Sequence, residues 1–424
     1  MKSKTDRFGH PLDQNVGYAR GRILASSVEE SLRVANAQRL LRARRASHGP
    51  DSIAIFTGNQ RTYPLLQGEL ARMADEWTGP AEFGPVLGRR ILEHLGGGID
   101  HAYAVFNRTS AGIVATIASI THEGLVISYA APPGRAHPSV FRGARVAFRE
   151  MAEVTTLDEL GDLIRRAAVA LLVLTSMTSE LESLTPYQIE QACALAHERN
   201  IPVLLDDAYG ARLRPVAMGG PLALNTGADV VITNSDKAGL VGPRAGFMAG
   251  AAEYVQRAYA TAEEFGLEAR APIALGVMRA LEIYDPTVLK GELQVATTLN
   301  DELERLLGAE HVVRTLLGPV VGPDEVLIVA AARAQIPPGD TKVVPCEAST
   351  ALGMLLLRDE GVLTVNAAGS PGARVSLRLK TTPGALERVG GVKAIVNAVD
   401  RCLWRLAEMI TDEDAIRALI LGPA

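Results

Sequence analysis

The sequence predicts an α/β fold, a mainly parallel sheet wrapped by helices, followed by a smaller α+β unit. Three observations carry that reading. Short apolar runs rich in β-branched residues recur from about Ala102 onward, as buried strands do. Stretches with helical start signals lie between several of them, and alternation of the two elements implies parallel pairing. The composition, 47% hydrophobic and 21% charged with 40 glycines in 424 residues, suits one large globular domain plus a smaller one.

Taken in order, "ASSVEESLRVANAQRLLRARR" reads as an amphipathic helix. Ser27 and Glu30 have capping-box spacing, and Leu24, Val28, Leu32 and Ala35 line one face. Strands are predicted at Tyr103–Phe106, Leu125–Ser128, Leu171–Thr175, Val203–Asp206, Val230–Thr233 and Gly246–Ala249. The clearest helix start is "TPYQ", with Thr185 as N-cap, Pro186 first inside and Gln188 three after the cap. Beyond Pro286, "STALGMLLLRDEG" reads as a helix closed by Gly361, "VLTVN" and "ARVSLRL" as strands, and 392–410 as a helix. The expected organisation is an N-terminal helical segment over 1–90, a large domain over 91–285 and a small C-terminal domain over 286–424.

Several function classes recede at this stage. Cys193, Cys346 and Cys402 are far apart and form no CxxC, so disulfides and zinc are not expected and a cytoplasmic setting is. No apolar run reaches the length of a membrane span or forms a leader. The net charge of −5 does not suit a nucleic-acid binder. The first fifty residues nonetheless hold ten Lys/Arg against four Asp/Glu, densest in "RLLRARRAS". That segment reads first as the solvated face of a helix; the alternative is an arm for phosphates, with tRNA as a possible partner.

The chemistry gathers where strands end. In parallel α/β sheets ligands bind at the carboxyl ends of strands. "VLLDDAYGA" ends in Asp206 and Asp207, "VVITNSDK" in Asn234, Ser235, Asp236 and Lys237, and "AYAVFNRTSAG" in Asn107, Arg108, Thr109 and Ser110. An acid, an amine and a helix start therefore converge on one rim. Pyridoxal 5′-phosphate needs those parts: a lysine amine for its aldehyde, a carboxylate for its pyridine nitrogen, and helix N–H groups for its phosphate. Lys237, Asp206 and the turn from Thr109 through Ser110 to Gly112 supply them.

At these residues the sequence resembles a family. "DDAYGA", with a lysine 31 residues after its first aspartate, is similar to the fold-type-I pyridoxal phosphate enzymes, the aspartate aminotransferase superfamily. "SDKAGLVGPRAGFMAG" resembles the lysine segment of selenocysteine synthase, and over roughly 90–390 the chain looks most like the archaeal selenocysteine-synthase-like proteins. The resemblance implies a seven-stranded, mainly parallel sheet and at least a homodimer. It implies that Lys237 forms the Schiff base, that Asp206 pairs with the ring nitrogen, and that Ala208 lies against the ring. It places His137 where a ring commonly stacks on the cofactor, and Asn234, with Ser235 next to it, where a serine commonly reaches the phosphate. Arg374 falls on the "R-V-S" strand whose arginine clamps a substrate carboxylate; the alternation of Arg374, Ser376, Arg378 and Lys380 also reads as a solvated strand face. Arg244 is a second candidate for an anion. "FTGNQRTYPL" is a candidate loop reaching the site of an opposite subunit, and the basic segment falls short of a full tRNA-binding domain.

The reading for function is a pyridoxal phosphate-dependent transferase or lyase acting on an amino acid or aminoacyl substrate, with elimination or replacement at Cβ. The alternatives are an aminotransferase, and a tRNA-binding or regulatory protein that retains the cofactor. Cys346 reads as a buried thiol. Tyr209 reads equally as a cofactor contact or a core residue, and Asp207 more as a structural acid than Asp206.

Overall fold

The computed structural model describes residues 5–13, 15–120, 123–373 and 375–423. The chain forms two units, one of residues 59–290 and one in which residues 1–58 join 291–424.

The unit 59–290 is built on a seven-stranded sheet. Its strands are β1 His101–Phe106, β2 Leu125–Ala130, β3 Met151–Val154, β4 Val169–Thr175, β5 Val203–Asp206, β6 Val230–Asn234 and β7 Gly246–Ala251. The order across the sheet is β1-β7-β6-β5-β4-β2-β3. Only β7 runs antiparallel, between β1 and β6. The six predicted strands are all present. The seventh, β3, escaped notice because "MAEV" is four residues long, carries a glutamate and lies half-exposed at the sheet edge. Inner strands read as unbroken apolar runs because helices cover both faces. Leu205 and Val231 pack into one core, Leu204 and Ile232 into the other. The predicted capping box at Thr185 forms, with Gln188 reaching back to the Thr185 N–H.

This topology makes the rim. β1, β5 and β6 end on the same side, and antiparallel β7 begins there. The helix Thr109–Ser119 starts at the end of β1 and presses on the sheet at two glycines. A Cβ on Gly112 would stand 2.2 Å from Ile232 Cδ1. A Cβ on Gly246 would stand 2.5 Å from the Thr109 backbone nitrogen and 2.8 Å from the Arg108 carbonyl carbon. Gly112 thus serves the close approach of helix to sheet.

The other unit centres on a core of Ala37, Leu40, Phe56, Leu299, Leu352, Leu403 and their neighbours. The helix Ser27–His48 belongs to it but is turned the other way from the predicted orientation. Val28 and Leu32 are 65% and 51% exposed, while Glu30, Arg33, Asn36, Ala37 and Leu40 are buried. Hydrogen bonding explains the reversal. Arg33 donates to the carbonyls of Asn366, Ala367 and Gly369, and Asn36 to those of Leu419 and Ile420. Its polar face therefore closes two helix ends, whose last carbonyls lack intrahelical partners. The cap is Ser26, one residue before the expected Ser27. Arg42 and Arg45 are exposed, and Arg44 donates to the Asp359 carbonyl.

In the same unit, "ARVSLRL" is not a solvated face: Ser376, Arg378 and Lys380 are all buried. Arg374 lies outside the described residues. "VLTVN" forms only a two-residue strand before the chain turns into a short helix. The predicted helices before Gly361 and at Val392–Met409 are present. The three cysteines are buried and unpaired, and burial raises the Cys346 thiol far above its ordinary value, which makes it a poor nucleophile. Among the described residues no helix is long and apolar enough to cross a membrane.

Gly246→Ala should lower stability by about 1–3 kcal/mol, because the atoms it meets are backbone and cannot rotate away. Urea unfolding of the variant against the parent measures this.

Candidate active site

The rim begins with two adjacent aspartates. Asp206 is the last residue of β5, in register with Thr175 of β4 and Ile232 of β6. Its side chain therefore shares the sheet face of Ile232, which packs with Ile113 and Ala115 of the helix Thr109–Ser119. Asp207 takes the opposite direction, as successive residues of an extended chain do. There Arg214 meets it with two bonds, Nη1 to Oδ1 at 3.2 Å and Nη2 to Oδ2 at 2.5 Å. Both partners are buried. Asp207 is thus the structural acid.

Asp206 is buried too, at 4% exposure, yet its Oδ1 has no hydrogen-bond partner among the described residues. Burial raises its carboxyl to about 7, opposed by the charge of Lys237 and by the Ala208 N–H, and reinforced by Asp207. A buried carboxylate oxygen left without a donor is costly. Such a group fits a ligand that brings its own N–H.

Lys237 lies in the loop after β6, half-buried, with Nζ 5.0 Å from the centre of the Tyr209 ring. The chain turns sharply beyond it: Ala238 and Gly239 have φ of 51° and 79°. Left-handed backbone costs a non-glycine residue about 1–2 kcal/mol, and such strain often marks a functional position. Ser235 fastens the loop, its hydroxyl donating to the Pro243 carbonyl. Asn234 is tied at both ends of its amide, with Nδ2 donating to the Ala208 carbonyl at 2.7 Å and Oδ1 accepting from Arg212 at 3.0 Å. Both side chains expected at the cofactor, Asn234 and Ser235, are thus bonded within the protein.

Arg212 is the residue the sequence did not flag. Its guanidinium is buried and donates to Thr233 Oγ1, the Ala208 carbonyl and Asn234 Oδ1. It braces the ends of β5 and β6 together. In the sequence it reads as an ordinary helical arginine two residues before Arg214; the structural signal is burial without a contacting carboxylate.

The third part is the start of the helix Thr109–Ser119. Arg108 is its N-cap, with extended backbone and no capping side chain, so the first N–H groups keep their donor capacity for an anion. Thr109 Oγ1 leans to the Thr233 carbonyl at 3.4 Å, and Ser110 is half-exposed. His137 is the N-cap of the helix Pro138–Val146, its Nδ1 accepting from the Ser139 N–H at 3.2 Å. That bond fixes the ring by its own helix.

The second half of "FTGNQRTYPL", the candidate loop for a shared site, lies on the lysine loop of its own chain. Asn59 pairs with Lys237 and Arg61 with Gly242 as isolated bridges. The Gln60 N–H donates to the Asp236 carbonyl at 2.7 Å, and Arg61 Nε to Asp236 Oδ2 at 2.9 Å.

Two substitutions separate the aspartates. Arg214→Met leaves Asp207 buried and unpaired and should cost about 3–5 kcal/mol by chemical denaturation. Asp206→Asn should act in the other direction. The native Asp206 holds a proton that the unfolded chain releases between the ordinary carboxylate value of 3.8 and about 7. The parent without cofactor therefore loses stability as pH rises through that window, and the asparagine variant should not. Melting temperatures at pH 5 and pH 8 measure the two slopes.

Comparison with known proteins gives the family and the fold. The model of the class I and II aminotransferases matches residues 86–331. A UPF0425 pyridoxal phosphate-dependent protein of Methanothermobacter thermautotrophicus is 32% identical over 94% of this chain and 100% of its own. Among solved structures, a putative L-allo-threonine aldolase from Listeria monocytogenes aligns with TM-score 0.57 at 15% identity, over 87% of this chain and 99% of that one. A chain of a SepCysS–SepCysE N-terminal domain complex aligns with TM-score 0.54 at 17% identity, over 84% and 95%. The last two show the fold alone. The chain belongs to the class I and II aminotransferase family, of fold type I, and within it to the UPF0425 pyridoxal phosphate-dependent proteins.

Proposed function

We propose that Lys237 and Asp206 form the centre of a pyridoxal phosphate-dependent enzyme that eliminates or replaces a group at Cβ of an amino acid or aminoacyl substrate. The observation that carries the centre is the buried Oδ1 of Asp206, an acceptor without a donor among the described residues, within electrostatic reach of a lysine amine. When bound, the cofactor supplies an aldehyde for amine exchange and an electron sink for the charge left at Cα.

The chain's own residues do the rest. Asp206 would accept the hydrogen of a protonated ring nitrogen and so keep that nitrogen charged. Bringing a cation to Asp206 also offsets the cost of its burial. Ala208 offers a small side chain beside the ring, its carbonyl held by Arg212 and Asn234. The N–H groups of Thr109 and Ser110, at the uncapped helix start, would take the phosphate. Lys237 would hold the cofactor and, with its amine free, would remove the proton from Cα. Tyr209 sits under that amine and orients it.

The choice of Cβ chemistry rests on the similarity of "SDKAGLVGPRAGFMAG" to the lysine segment of selenocysteine synthase. The protein acts as a cytoplasmic homodimer on this reading. Transamination is the competing branch open to the same centre.

The purified protein with added pyridoxal phosphate should show a visible absorbance band that Lys237→Ala loses and Asp206→Asn weakens. With amino acids bearing a leaving group at Cβ, a keto acid and ammonia should form without an added keto acid. Amino transfer that requires an added keto acid would replace the proposed branch. A band of equal strength in Lys237→Ala would overturn the assignment of the lysine.

A further inference from the structure

Asp206 is not the only polar group at the end of the sheet that lacks a partner. Thr175 is the last residue of β4 and only 1% exposed, and its Oγ1 has no hydrogen-bond partner among the described residues. Thr175 stands in register with Asp206, and residues paired across neighbouring strands point to the same face. Leu171 and Val173 of β4, Leu204 of β5 and Ile232 of β6 pack into the core on that face. The hydroxyl therefore lies one strand from the Asp206 carboxyl and on the same side of the sheet, and the two do not bond each other. Burying a hydroxyl without a partner is costly. Ser128 of β2 also has a buried, unpartnered hydroxyl among the described residues, but it is in register with Val173, two residues short of the rim.

The strand order gives this hydroxyl a direction. β5 lies between β4 and β6. On the β6 side stands the helix start, where Thr109 leans to the Thr233 carbonyl and abuts Gly246 of β7. On the β4 side stands Thr175. Pyridoxal phosphate has a matching layout about its ring. Its nitrogen lies opposite the carbon that bears the aldehyde. The phosphate arm leaves from one side of that axis and the ring oxygen from the other. With the nitrogen at Asp206 and the phosphate at Thr109, the ring oxygen falls on the side of Thr175. One rigid ligand then brings a donor to the carboxyl and an acceptor to the hydroxyl.

We infer that Thr175 is a further cofactor-binding residue, its hydroxyl donating to the ring oxygen of pyridoxal phosphate. The inference rests on the proposed function for the place of the ring, and it adds a residue that no motif in the sequence marks. A donor at that oxygen stabilises its ionised form. Thr175 thereby favours the deprotonated state of the bound chromophore and holds its titration at lower pH than an apolar side chain would.

Calorimetry on the cofactor-free protein tests this with pyridoxal phosphate and its 3-deoxy analogue, which lacks the ring oxygen. The proteins are the parent, Thr175→Val, Thr175→Ser and Ser128→Ala. Thr175→Val should bind pyridoxal phosphate about tenfold more weakly than the parent, the size of one hydrogen bond to a charged oxygen. It should bind the deoxy analogue as the parent does. Thr175→Ser keeps the hydroxyl and should keep the affinity, and Ser128→Ala should match the parent with both ligands. The visible band of loaded Thr175→Val should titrate at higher pH than that of the parent. Without cofactor, Thr175→Val should melt no lower than the parent, because the hydroxyl it removes has no partner. Equal losses for the two ligands, or no loss for either, would overturn the inference. So would a lower melting temperature of the cofactor-free variant, which would mark a structural hydroxyl. A parent that binds neither ligand would sink the reading of Lys237 and Asp206, and this inference with it; a parent that binds both, with no discrimination at position 175, would sink this inference alone.

Discussion

The site depends on the alternation of two buried carboxylates at the end of one strand. Because β5 ends at Asp206 and Asp207 follows it directly, successive residues send one side chain to each side of the sheet. The same burial then has opposite consequences. Asp207 meets Arg214 and becomes part of the frame. Asp206 has an oxygen without a donor among the described residues, and burial raises its carboxyl to about 7. A protein that keeps a buried acid in that condition holds a binding site at the expense of stability.

The surrounding network serves that acid and the lysine beside it. Arg212 and Asn234 both bond the Ala208 carbonyl, so the turn after Asp206 cannot drift from the end of β6. Ser235 and the left-handed Ala238 shape the loop that presents Lys237. Gly246 lets the start of the helix Thr109–Ser119 approach the same edge. Each of these residues acts through geometry, and each lies within two strands of the acid. Rigid elements therefore position the amine, the carboxylate and the helix start together, which is what preorganised catalysis asks of a fold.

Much of this was legible in the sequence, for reasons that differ by residue. Buried parallel strands need continuous apolar runs, so β5 and β6 stood out with their polar ends attached. Lys237 stood out because an amine at the end of such a strand needs a reason. The order of Asp206 and Asp207 is not decided by the sequence; it requires the partner Arg214, seven residues along the chain and invisible as a contact until the helix Gly210–Ala217 is placed. Arg212 was missed because nothing local distinguishes a braced, buried arginine from an exposed one. The helix Ser27–His48 misled for the opposite reason. Its apolar stripe looked like the buried face, but Arg33 and Asn36 close the ends of distant helices, and long-range hydrogen bonds leave no periodic trace. Arg61 likewise depends on Asp236, 175 residues away in the chain.

The central claim is that Lys237 is the residue that holds the cofactor. Borohydride reduction of the loaded protein, followed by digestion and mass spectrometry, would fix the cofactor to the lysine that carries it and identify that lysine. The account predicts one modified peptide, containing Lys237, and no cofactor retained by Lys237→Ala. Cofactor fixed to a different lysine, with Lys237 unmodified, would contradict it.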